Sequence, residues 1–122
     1  MNDFLALLFL SREISHREHL ATNSYAQHKA LGHFYEDIVD LVDSLAEAYQ
    51  GRYGIVKDIP IMSDIKGLKD SQTPAEKLEL ILDQVERTRY DALNKEETAM
   101  QNIVDEIVAL FLSTLYKLKE LK

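Results

Sequence analysis

Residues that break helices are nearly all gathered in one stretch of this chain. Three of the four glycines and one of the two prolines fall within "GRYGIVKDIPIMSDIKGLKDSQ", Gly51 to Gln72. Strong helix formers fill the rest, so long helices are predicted on either side of that stretch. The first runs from about Asn2 to Ala21. "TNS" (Thr22 to Ser24) then supplies a turn and an N-cap, and a second helix runs from about Tyr25 to Gln50, stopping at Gly51. "TPAE", Thr73 to Glu76, has the marks of a helix start: Thr at the N-cap, Pro at the first position, Glu at the third. It opens a third helix to about Tyr90. After "LNKEE" a fourth covers Glu96 to Leu121. The connecting stretch is long for a compact domain, which predicts that it packs across the helices, with a short helix around Ser63 to Gly67.

The 122 residues make one domain with enough chain to bury a core. Two long helices, a crossover and two more helices give an all-α four-helix bundle with a long connection between helices two and three, the ferritin-like layout. The chain has no cysteine, which excludes disulfides and thiolate metal sites and is compatible with a reducing cytoplasm. The apolar run "FLALLFL" (Phe4 to Leu10) lacks a basic flank and a small-residue cleavage site, and is too short to cross a bilayer. It reads as the start of a soluble helix. A formal charge of −7 with no Lys/Arg cluster argues against binding to DNA, RNA or anionic lipid.

At roughly 100° per residue, Leu31, Phe34, Tyr35, Ile38, Leu41, Val42, Leu45 and Tyr49 form one stripe on the second helix. That stripe is the expected core face. His28 sits at its edge, His33 is on the surface, Gly32, Glu36 and Asp43 lie well round the helix, and Glu47 is nearly opposite. Asp43 and Glu47, one turn apart in "DSLAEAY", therefore face away from the subunit's own core. A metal held by them needs its other ligands from a second chain; the plainer reading is a solvated acidic face. The first helix is apolar almost all round near its start, which predicts burial on more than one side and supports an interface. Farther along it, His16 and His19 are neighbours, and Glu13 precedes His16 by one turn. A within-subunit centre from Glu13, His16 and Glu36 is the runner-up site.

"HREHL", "YAQH" and "DSLAE" together resemble the Dps miniferritins. That family has His-x-x-His-Trp on the first helix, an aromatic and Leu-His opening the second, and Asp-x-x-Ala-Glu near its end. "KEETAMQNIVDEIVALFLSTLYKL" resembles the family's last helix. The resemblance implies an iron-oxidising site between two-fold related subunits, with His19 and His28 of one chain opposite Asp43 and Glu47 of the other. There are departures. The turn after His19 is shorter, which keeps His16 as an alternative ligand. Leu20 stands where Trp is usual, Gly32 replaces an acidic residue for which Glu36 is the candidate substitute, and no basic N-terminal tail is present.

By this resemblance the chain is expected to be a dimer-based homo-oligomer, usually a dodecameric shell, that oxidises Fe(II) with peroxide or dioxygen under oxidative stress and stores the ferric product. No catalytic group is implied beyond the metal ligands. Carboxylates hold Fe(III), neutral imidazole holds Fe(II), and Glu96, Glu97, Asp105 and Glu106 are candidates for an acidic inner wall. The alternative is a ferritin-like bundle without metal chemistry, acting as a structural or interaction protein. There is no Gly-x-Ser-x-Gly and no phosphate-binding glycine loop.

Overall fold

The computed structural model describes residues 1–122 as four α-helices and no strand. The helices are α1 (Asn2–Ala21), α2 (Tyr25–Tyr53), α3 (Pro74–Ala92) and α4 (Thr98–Glu120). Helix α1 packs on α2 and α3, and α4 packs on the same two, so α1/α4 and α2/α3 are the diagonal pairs of a four-helix bundle. Asn2 donates to the Lys57 carbonyl just beyond α2, and Lys77 near the start of α3 pairs with Glu18 near the end of α1. The helices thus run up, down, down and up. Because α2 and α3 point the same way, residues 54–73 must carry the chain back along the whole bundle, a distance of about 30 Å for a twenty-residue helix.

That crossover does so as an extended strap. Val56, Ile59, Met62 and Ile65 pack against the core. They recur at every third position, and the residues between them are exposed. No backbone–backbone hydrogen bond involves residues 55–64, and the expected short helix near Ser63 is only a turn at Lys66 and Gly67.

Nineteen buried apolar side chains drawn from all four helices and the α3–α4 turn make the core. Phe34 and Phe111 meet edge to face at 4.8 Å to join α2 and α4. On the α2 stripe, Leu31, Phe34, Ile38, Val42 and Leu45 are buried, while Tyr35, Leu41 and Tyr49 are half-buried at its margins. In α1, Phe4, Leu5, Leu7, Leu8 and Leu10 are all buried. The expected subunit interface is not what buries them: α2, α3 and the strap enclose them within one chain, and only Phe9 of that run stays exposed.

Where helix ends differ from the sequence expectation, they do so by one to three residues, and two of the differences have a clear cause. Gly51 does not stop α2, which runs on to Tyr53 and ends at Gly54, whose positive φ of 91° is open to glycine and strained for other residues. The extra turn is held by Arg52, whose guanidinium pairs with Glu97 of the α3–α4 connection at 2.9 Å. A lone internal glycine weakens a helix by only about 1 kcal/mol, which a tertiary contact offsets. Helix α4 begins at Thr98 rather than Glu96 because residues 94–97 close a turn, with the Glu97 N–H bonded to the Asn94 carbonyl.

A candidate metal centre at the histidine cluster

The α1–α2 turn brings three of the four histidines together. Ser24 caps α2 by accepting from the Gln27 N–H, and Thr22 accepts from the Ser24 N–H. This tight turn lays the last turn of α1 beside the first of α2. The His19 and His28 rings stack there with centroids 3.7 Å apart and 17° between planes. His19 Nδ1 lies 2.6 Å from the His28 carbonyl, and His28 Nδ1 lies 2.8 Å from the His19 carbonyl. A carbonyl can only accept, so each Nδ1 must carry the proton and donate. In the neutral rings this leaves both Nε2 atoms as the lone-pair nitrogens.

Around this pair the side chains are specific. The His16 ring stacks on Tyr35 at 4.3 Å, and Tyr35 meets His19 edge-on at 5.2 Å. The Arg12 guanidinium also lies over the Tyr35 ring, 5.8 Å from its centroid. Gly32 faces the His19 ring so closely that an added Cβ would lie 2.9 Å from its Cε1. Gly32 therefore has a role beyond what the sequence pattern assigns it: it lacks a side chain because an imidazole occupies that place. A mid-helix glycine four residues after a histidine is the available signal. Tyr35, a member of the core stripe by its spacing, also serves as the aromatic floor of the cluster.

The carboxylates lie elsewhere. Asp43 and Glu47 are exposed on the outer face of α2, as the periodicity predicts, and neither joins an ion pair within the chain. Asp43 is about 22 Å along the helix axis from His28, so one chain cannot bring these groups to a shared ion. The runner-up centre is not assembled. Glu13 pairs with Arg17 at 2.8 Å, Glu36 is exposed, and His16 is engaged with Tyr35. No three His, Asp or Glu side chains of one chain are grouped to hold a metal ion. His33 is exposed as expected. Of the acids considered for an inner wall, Glu97 is tied to Arg52 and Asp105 to Arg89, while Glu96 and Glu106 remain exposed.

At the opposite end of the bundle lies a second polar group that no sequence motif announces. Arg89 is buried and donates to the Gln101 side-chain oxygen at 2.8 and 2.9 Å, to the Gln101 carbonyl, and to Asp105. Gln101 in turn donates to the Leu93 carbonyl at 2.8 Å. The network fastens the α3–α4 turn. Beside it, desolvation raises the Tyr53 hydroxyl above its ordinary pKa, with the neighbouring Glu97 carboxylate adding to the effect.

The profile of a family of unknown function (DUF5856) matches residues 19–118, and the chain belongs to that family. It is also similar to an uncharacterized 14.6 kDa protein in the mobD-ri intergenic region of Enterobacteria phage T4. The two are 28% identical over 117 residues, which is 96% of this chain and 86% of the relative. No solved structure matches. No helix is long and apolar enough to cross a membrane.

Proposed function

We propose that this member of the DUF5856 family is a Dps-like iron-handling protein, a homo-oligomer that binds Fe(II) between two copies of the chain and oxidises it. The reading is carried by one observation. His19 and His28 both commit Nδ1 to a backbone carbonyl, the arrangement that fixes the tautomer of a metal-ligating histidine and leaves Nε2 free for the metal. Asp43 and Glu47 of a second copy would complete the donor set. They are exposed and have no cation of their own chain beside them. Imidazole with carboxylate suits iron in both oxidation states. The up-down-down-up connectivity is also that of the carboxylate metal proteins of the ferritin-like class.

Iron is the substrate in this scheme. Two Fe(II) ions each give one electron to a peroxide, whose O–O bond breaks to leave two hydroxides. The ferric product is retained inside a shell, in a cytoplasmic setting that suits a chain without cysteine. The second reading is an inert scaffold or interaction protein, and a specific observation favours it. The reciprocal His19–His28 hydrogen bonds, with Gly32 admitting the ring, are sufficient to close the α1–α2 turn without any metal.

Fe(II) addition in air and with added peroxide, read by ferric absorbance, separates the two when paired with a solution mass. The expected result is an oligomer that accelerates ferric formation, with the acceleration lost on combining Asp43→Ala and Glu47→Ala. A monomer at all concentrations, or a rate equal to buffer alone, overturns the iron reading and leaves the scaffold.

A further inference from the structure

The strap does not close down fully on α1. Between its middle part and α1 lies a cleft of about 760 Å³, within the ~300–1,000 Å³ range of small-molecule sites. Phe9, Leu10 and Ile14 line it from α1, and Ile59, Ile61 and Met62 from the strap. Its position is a consequence of the fold. Strap residues spaced by three reach the core, which leaves the residues between them raised above the helix surface.

The charged groups at the rim cancel. Glu13 is paired with Arg17, and Glu18 with Lys77. The remaining two, Lys69 and Asp70, are adjacent and opposite in sign. An anionic or cationic guest would have to leave water without a spare counter-charge, which disfavours it. An uncharged apolar guest gains by covering Phe9, 43% exposed, and Ile61, fully exposed. The strap can also adjust around a guest, since residues 55–64 make no backbone–backbone hydrogen bond that would have to break. We infer that the cleft between α1 and the strap is a binding site for an uncharged, largely apolar small molecule. The site lies on the side of α1 that faces the strap, His19 and His28 do not line it, and it stands independently of the iron reading.

Titration of the full chain with the neutral fluorophore N-phenyl-1-naphthylamine tests the inference. Saturable single-site binding with enhanced emission is expected. Ile61→Asp should weaken it at least tenfold without altering the melting temperature, because Ile61 is fully exposed and packs on nothing in the free protein. Leu112→Asp, at an exposed apolar position on α4, should leave binding unchanged. Emission that rises without saturation, or that falls equally in both variants, would show diffuse adsorption and overturn the site. Binding of the anionic analogue 1-anilinonaphthalene-8-sulfonate as tightly as the neutral probe would overturn it too.

Discussion

Gly32 shows how one missing side chain can organise a cluster. In the interior of α2, alanine would ordinarily be favoured over glycine by about 1 kcal/mol. Here the new Cβ would lie 2.9 Å from His19 Cε1 and 3.1 Å from its Nδ1. Overpacking of this kind costs about 1–3 kcal/mol, and the displaced ring would also lose its bond to the His28 carbonyl. Gly32→Ala is therefore expected to destabilise the protein by about 1 kcal/mol or more in urea unfolding. In a His19→Ala background the obstacle is gone, and the same change should stabilise. This reversal of sign is a double-mutant-cycle signature; Gly32→Ala raising the unfolding midpoint of the parent chain would mean that the His19 ring does not occupy the space over Gly32. The sequence brings His19 and His28 together only through resemblance, and it makes Gly32 a lost acid. A mid-helix glycine marks a close approach, but nothing local to position 32 says that the approaching group is a ring from another helix.

Among the elements, ends fixed by local chemistry are legible in the sequence and ends fixed by tertiary contacts are not. "TPAE" holds all its partners within four residues, and the structure has the full capping box: Thr73 accepts from the Glu76 N–H, and Glu76 accepts from the Thr73 N–H. Those bonds to Thr73 hold the Glu76 carboxyl below its ordinary value of 4.5. A carboxylate with a depressed pKa stabilises the fold above its unfolded value, and that contribution is lost as pH falls through the lower folded value. Thr73→Ala is expected to cost about 1 kcal/mol near neutral pH. Glu76→Gln, which removes the titrating group, should flatten the decline of stability with acid below about pH 4.5. Chemical denaturation across that range checks both, and an unchanged acid limb would mean that Glu76 is not held by the box. The end of α2 is the contrast. Its last turn depends on Arg52 reaching Glu97 in the connection beyond α3, and no local pattern near Gly51 encodes that.

At the scale of the whole molecule, bundle and crossover are both readable, because the helix breakers sit where the chain leaves one layer for the other. The strap's inner face is not, since a period of three matches neither helix nor strand. For the same reason the apolar circumference of α1 points to a partner chain in the sequence, whereas the strap supplies part of its cover in the structure. The strap's structural contribution can be weighed directly. Its backbone is tied by side-chain hydrogen bonds such as Gln50 to the Val56 N–H and Asn2 to the Lys57 carbonyl, and its apolar residues are only partly buried, so it should open locally at low free energy. Trypsin is expected to cut first after Lys57 or Lys66, before any bond inside a helix. The nicked halves, α1–α2 and α3–α4, should still elute together. Their shared surface includes the α1–α3 and α2–α4 contacts and a core to which all four helices contribute, with each buried Leu, Ile or Phe adding about 1.5–3 kcal/mol. Halves that separate in native buffer would mean that the covalent link holds the bundle together, and the core would then be weaker than its burial implies.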